Sequence, residues 1–337
     1  MKEKHTILIT GGCGFIGTNF IKDLIEKDSV KQIVCIDNLS HGNFLNGIHD
    51  NPKVAFHEED ILNYGELDIF FGYYKPDYVF HFAGLVSIYD CFKNPHKAFE
   101  NNIMGSVNIF ELCLKYDIKK VIISETSAMY EDSKILPHIE EDWVPKTTYS
   151  ASKACMHMIA ESYKKTKGLV YTGLRYFNVY GETQDFSRTV PPASCGFGIR
   201  LMQRKNPIIF GDGNRRRDFI HVDDVNRFHM MCIEDSRTDN DVFNIGTGES
   251  ISLYEMIDKI AKCLSIDDYK ITQAPEIAGE AFDIKANIEK AEALGWKPRV
   301  SFEEGHNSLI LYLKKLFEEG IFPDDFMDNI DTDSVKI

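Results

Sequence analysis

No apolar run in the 337-residue sequence approaches the roughly twenty residues that a membrane-spanning helix needs; polar or charged residues interrupt each one. Strand-like patterning begins within a few residues of Met1, so no signal peptide is expected. Basic residues are in deficit. The 38 Lys and Arg stand against 52 Asp and Glu, a net charge of −14, which argues against the basic stripe of a nucleic-acid surface. The only compact basic cluster, Arg215-Arg216-Arg217, is too small for a polynucleotide and the right size for a diphosphate. Eight cysteines occur with neither a C-x-x-C pair nor zinc-ligand spacing. They read as reduced core residues of a cytoplasmic protein, with no metal site expected. Repeats and low-complexity segments are also lacking. What remains is a chain long enough for one large α/β unit or two lobes.

The sequence is organised around its opening stretch. The apolar run Ile7–Ile9 breaks into Gly11, Gly12, Gly14 and Gly17, and Phe15, Ile16, Phe20 and Leu24 follow at helical spacing. A strand, a glycine turn and a helix N-terminus together let backbone N–H groups approach a dinucleotide pyrophosphate closely. A second apolar run, Ile33–Ile36, ends in Asp37, about twenty residues after Gly17, where a ribose-binding acid belongs. Asp37 would repel a 2′-phosphate, and Asn38-Leu39 adds no cation, so NAD is preferred over NADP. The competing reading is a tight turn with an ordinary strand-end acid.

Further strands are predicted at Val54–His57, Tyr78–Phe82, Val121–Ser124 and Tyr171–Tyr176, with helices at Ile103–Tyr116 and Ala151–Lys165 between them. This alternation predicts a doubly wound parallel (Rossmann) sheet, whose ligands sit at the carboxyl ends of the strands. Asp60 and Ile61 follow the third strand and could meet an adenine, although a helix N-cap explains Asp60 equally well. Phe82, Ala83 and Gly84 end the fourth strand, where small residues allow close approach or simply turn the chain. The domains predicted are 1–180 with 218–250 as the nucleotide-binding unit, 181–217 and 251–320 as a smaller, mostly C-terminal α/β substrate lobe, and 321–337 as a flexible acidic tail.

Tyr149 and Lys153 stand four residues apart, on one face of a predicted helix. A nearby ammonium and an oxidised nicotinamide would both lower the tyrosine pKa, making it a base for a sugar hydroxyl. Thr126 could bond the same oxygen. Taken alone, such a pair is more often a surface pair; downstream of a dinucleotide fingerprint and a small hydroxyl at the fifth strand end, that order reverses.

Thr10-Gly-Gly-x-Gly-Phe-Ile-Gly17, Asp37-Asn-Leu-Ser40, His81-Phe-Ala-Gly-Leu85, Tyr149-x-x-x-Lys153, Arg175-Tyr-Phe-Asn-Val-Tyr-Gly181, Arg217-Asp-Phe-Ile-His-Val-Asp-Asp224, Phe243-Asn-Ile-Gly-Thr-Gly248 and Leu294-Gly-Trp-Lys-Pro298 together resemble the extended short-chain dehydrogenase/reductase family. Within it, the NAD-dependent nucleotide-sugar epimerases of the UDP-glucose 4-epimerase type are the most similar. The resemblance implies Thr126, Tyr149 and Lys153 as catalytic residues. It places NAD, tightly bound, on Gly11, Gly14, Phe15, Ile16, Gly17, Asp37, Asn38, Asp60, Ile61, Phe82, Ala83, Gly84, Asn102 and Tyr176. A nucleoside-diphosphate sugar would lie on Asn178 and Arg217, and a homodimer would form through the helices at 103–116 and 151–165. The implied activity is epimerisation at C4 through a 4-keto sugar; the alternative is a C4 dehydrogenase that releases it.

The related 4,6-dehydratases carry Asp-Glu after the catalytic Thr. Ser127 and Ala128 stand there instead, which disfavours dehydration. Three departures from the family pattern stand out. Ile277-Ala-Gly-Glu280 lacks the usual phosphate-binding Arg, a role left to Arg188 or Arg216. Glu125 replaces a small hydroxyl residue, as either an ion-paired strand end or an acid/base. Glu131 replaces a glycine. Ile284 aligns loosely with a position that governs tolerance of an N-acetyl group.

Overall fold

The computed structural model describes residues 4–40, 48–188, 190–276 and 283–328. Six strands follow in chain order: β1 (His5–Thr10), β2 (Val30–Asp37), β3 (Val54–Glu58), β4 (Tyr78–His81), β5 (Lys120–Thr126) and β6 (Tyr171–Tyr176). With the strand Asp241–Ile245 they form a seven-stranded parallel sheet, ordered Asp241–Ile245, β6, β5, β4, β1, β2, β3. The chain winds outward from β1 to β3, then returns to lay β4 on the other side of β1. A crevice opens at that reversal, at the carboxyl ends of β1 and β4.

Alternation along β1 shows why the sheet is covered on both faces. Ile7 and Ile9 join Phe20, Phe80 and Phe228 in one core, while Leu8 joins Val34, Phe71 and Phe110 in the other. A third core belongs to a second lobe, where the helices Ala193–Met202, Leu253–Cys263 and Phe302–Glu318 meet through Ile199, Met256, Ile257, Leu309 and Leu313. Among the described residues, no helix is long and apolar enough to cross a membrane.

Three expectations need correction. The predicted helix at 103–116 is the α-helix Ser106–Lys115, preceded by a π-helical stretch at Glu100–Gly105. Residues near 290 pack on the seven-stranded sheet rather than completing the second lobe. The helix Glu289–Ala293 lies by Asp241–Ile245, and the buried Trp296 joins the first sheet core and donates its indole N–H to the Asp224 carbonyl at 3.2 Å. The tail is packed further than expected, because Phe322 and Phe326 lie in the lobe core. Residues 329–337 of the expected acidic tail lie outside the described residues.

Candidate active site

A cavity of about 850 Å³ runs from the carboxyl ends of the strands into the lobe. At its sheet end the glycine turn leaves no room for side chains. Gly11 has φ +70°, and a Cβ there would lie 2.5 Å from the Ala83 nitrogen; on Gly17 a Cβ would lie 2.4 Å from the Gly11 carbonyl oxygen. The helix that follows, α1 (Phe15–Ile25), has Gly14 as its N-cap, no side-chain cap and no acid in its first turn. Its leading N–H groups and partial positive charge therefore remain available to an anion. Asp37 is held at the end of β2, with Oδ2 accepting the Cys13 N–H at 3.0 Å and Oδ1 the Leu39 N–H at 2.8 Å. Asn38 donates to Asp60 Oδ2 at 2.8 Å, and Asp60 Oδ1 accepts the Leu62 N–H at 2.9 Å. The N-cap of the next helix is Asn63 rather than Asp60. Gly14, Phe15, Ile16, Ile61, Phe82, Ala83 and Gly84 complete this end. A glycine turn with no room for added Cβ atoms at Gly11 and Gly17, an uncapped helix N-terminus and an oriented carboxylate fit a dinucleotide.

Asn102, expected among the cofactor contacts, does not line the cavity. Its amide is committed to protein: Oδ1 accepts the Leu85 N–H at 2.7 Å, and Nδ2 donates to the Leu85 carbonyl and the Ser152 hydroxyl, each at 2.9 Å. It braces the turn after β4 against the helix that carries Tyr149.

That helix spans Thr148–Lys167 and begins with a Thr147/Ser150 capping box, which makes Tyr149 its second residue. Thr126, the last residue of β5, shares the cavity wall with Tyr149, and its side chain favours the ionised phenol. Lys153 Nζ donates to the Ser124 carbonyl at 2.9 Å and to its hydroxyl at 3.3 Å. Burial pushes the Tyr149 phenol up to about 12, opposed by Thr126 and by the Arg188 guanidinium. Burial also pulls Lys153 down to about 8, opposed by the Glu125 carboxylate. Around the phenol, burial outweighs the opposing Thr126 and Arg188 contributions.

Glu125 takes the ion-pair alternative. Its Oε2 accepts from Arg175 Nε at 2.8 Å, and its Oε1 lies 2.9 Å from His157 Nδ1. Gly173 on β6 makes the space, since a Cβ there would lie 2.6 Å from Glu125 Oε1. Glu125 and Arg175 are both fully buried, so removing one charge strands the other. Arg175→Met is expected to destabilise the fold by about 3–5 kcal/mol, read as a lower urea midpoint with unchanged slope. A loss under about 1 kcal/mol would contradict a buried pair.

On the lobe side, Asn178, Arg188 and Arg217 all line the cavity, beside Tyr176. Asn178 Nδ2 donates to the Asp218 carbonyl at 3.1 Å, and Arg188 Nε pairs with Asp185 at 3.0 Å. Arg216, weighed for the phosphate role, does not line the cavity; it pairs with Glu255 at 3.1 Å. Arg215 lines the cavity instead and is ion-paired to Glu276. The signal for Arg215 was period-two alternation, which puts it on the same side as Arg217. Ile284 packs with Tyr130, Phe177 and Ala286 and is not a cavity residue. The Ile277–Glu280 stretch lies outside the described residues.

Residues 7–246 match the model of the NAD dependent epimerase/dehydratase family. The chain is 31% identical over 311 residues to a UDP-glucose 4-epimerase of Halalkalibacterium halodurans, covering 87% of this chain and 90% of that one. It is similar to the crystal structure of Thermotoga maritima UDP-glucose 4-epimerase with UDP-glucose, with a TM-score of 0.87 and 33% identity over 93% of this chain and 99% of that one. The Bacillus cereus UDP-glucuronic acid 4-epimerase, in complex with UDP-glucuronic acid and NAD, gives a TM-score of 0.86 at 27% identity, covering 92% of this chain and 99% of that one.

Proposed function

Since this chain belongs to the NAD dependent epimerase/dehydratase family, we propose that it inverts C4 of a nucleoside-diphosphate hexose through a transient 4-keto sugar. The carrying observation is that the Tyr149 and Thr126 side chains share the cavity wall, with Ser127 and Ala128 following Thr126. A hydroxyl-handling pair is present, and the acid and base of a dehydration are not in their usual places. When bound, NAD supplies an acceptor for the C4 hydrogen as hydride and then returns it. Tyr149 takes the C4 hydroxyl proton as the carbonyl forms and gives it back on reduction, with Thr126 orienting the same oxygen. Lys153 carries the positive charge beneath the site, and its anchorage on Ser124 fixes its position. Asn178, Arg188 and Arg217 are the diphosphate partners, with Arg215 beside them, because guanidinium and amide donors suit that anion. Turning the keto sugar over, so that its other face meets the cofactor, completes the inversion.

NAD is retained through each turnover in this reading, because the cofactor ends as it began. The test is incubation of purified protein, without added cofactor, with UDP-, GDP-, CDP- and dTDP-hexoses, followed by mass spectrometry and proton NMR. UDP-glucose comes first, since the relatives named act on UDP sugars. A product of unchanged mass with an inverted C4 signal is expected. Loss of two mass units would replace the reading with a dehydrogenase, and loss of water would replace it with a dehydratase.

A homodimer is part of the proposal. Met158, on the catalytic helix, and Met104, beside the preceding one, are exposed by 59% and 52%, as an apolar contact between copies would need. Monomeric sedimentation at micromolar concentration would count against it. A reducing, cytoplasmic setting suits eight cysteines that are all unpaired.

A further inference from the structure

One short turn carries Thr126, which shares the cavity wall with Tyr149, and also holds the start of the helix that carries Tyr149. The turn begins at Thr126, passes through the 3-10 segment Ser127–Tyr130, and ends at Glu131. The Glu131 carboxylate gathers four donors. Oε2 accepts the Ser150 hydroxyl at 2.7 Å, the Thr147 N–H at 2.9 Å and the Lys146 N–H at 3.2 Å, while Oε1 accepts the Thr147 hydroxyl at 3.1 Å. Thr147 and Ser150 flank Tyr149 by two residues and one.

We propose that Glu131 is a positioning residue for the reaction: it locks the first turn of the catalytic helix to the turn that carries Thr126, and so fixes where the two hydroxyls meet. Helix capping alone does not require it. The Thr147 hydroxyl already accepts the Ser150 N–H at 3.2 Å, and the Ser150 hydroxyl already bonds the Thr147 N–H at 3.0 Å. What Glu131 adds is a connection from that box to β5. A carboxylate suits this place because every facing group is a donor; a glutamine would turn an N–H₂ toward at least one of them. The carboxylate also opposes ionisation of Tyr149. The other groups facing the phenol are Thr126 on β5, Cys91 on the helix Ile88–Lys93 and Arg188 in the lobe, with Lys153 one turn along its own helix.

The inference rests on the epimerase reading for its reaction, and its test has a readout outside activity. In Glu131→Ala, kcat for UDP-glucose turnover should fall at least about tenfold while KM stays within about twofold, the pattern of a lost transition-state arrangement. In Glu131→Gln, which keeps a carbonyl acceptor and the fold, the acid limb of kcat/KM should move down by about half to one pH unit, as removal of a nearby negative charge requires. The same shift should appear in the tyrosinate absorbance of Glu131→Gln, read as the difference from the same protein carrying Tyr149→Phe. A lower melting temperature with kcat, acid limb and tyrosinate titration all unmoved would make Glu131 merely structural and overturn the proposal. If the wild type turns over no nucleotide sugar, the epimerase reading fails. The tyrosinate titration then still decides whether Glu131 acts on Tyr149.

Discussion

Tyr149→Phe should lower kcat by about 10²- to 10⁴-fold, the usual contribution of a positioned acid/base, with little change in folding or in retained NAD. The substitution deletes one oxygen and keeps the ring. The phenol belongs to a half-buried side chain that shares the cavity wall with Thr126, and burial pushes it up to about 12. Among the described residues, the neighbouring candidates are committed elsewhere. Lys153 is anchored on Ser124, and Glu125 is consumed by Arg175 and His157. The measurement is single-turnover conversion of UDP-glucose by proton NMR, beside the nucleotide absorbance of the purified protein. A kcat within about threefold of wild type would remove Tyr149 from the chemistry, since so small a change is under about 1 kcal/mol.

Gly17→Ala should have the second large effect, on the cofactor rather than on the chemical step. An added Cβ would lie 2.4 Å from the Gly11 carbonyl oxygen and 2.6 Å from the Gly12 Cα, both backbone atoms of the turn itself. Flexible side-chain motion cannot relieve such a contact. The turn must open, at a cost of about 1–3 kcal/mol, and the N–H groups of α1 move away from the pyrophosphate position. Purified Gly17→Ala should carry at most about a tenth of the wild-type NAD, a loss of roughly 1.4 kcal/mol or more in binding. Wild-type cofactor content would mean that the close approach of α1 to β1 is not what holds the dinucleotide.

Much of this was legible in the sequence because it depends on local pattern. The strands β1 to β6 follow apolar runs, and the fully covered sheet makes those runs nearly continuous, as at Ile33–Ile36. The Tyr149–Lys153 spacing and the glycine turn are local too. What escaped depends on contacts between distant segments. Asn102 looks like a site residue by position, yet its amide is spent on Leu85 and Ser152, 17 and 50 residues away in sequence. Trp296 sits in the sheet core because Asp224, 72 residues earlier, receives its indole N–H. Glu131 looked like a bare departure from a glycine until the fold brought Thr147 and Ser150 onto its carboxylate. The burial of the tyrosine escaped for a related reason: a nearby ammonium is visible in a four-residue spacing, whereas burial is a property of the whole fold.

The most direct test of the account is the fate of the hydrogen at C4. UDP-glucose deuterated at C4 should be incubated with the purified protein, with no cofactor added, and the product analysed by mass spectrometry and proton NMR. The account predicts a C4-inverted sugar of the same mass, with the deuterium still on C4, because hydride leaves to the bound cofactor and returns to the same carbon. Deuterium lost to solvent, or a product two hydrogens lighter, would contradict it.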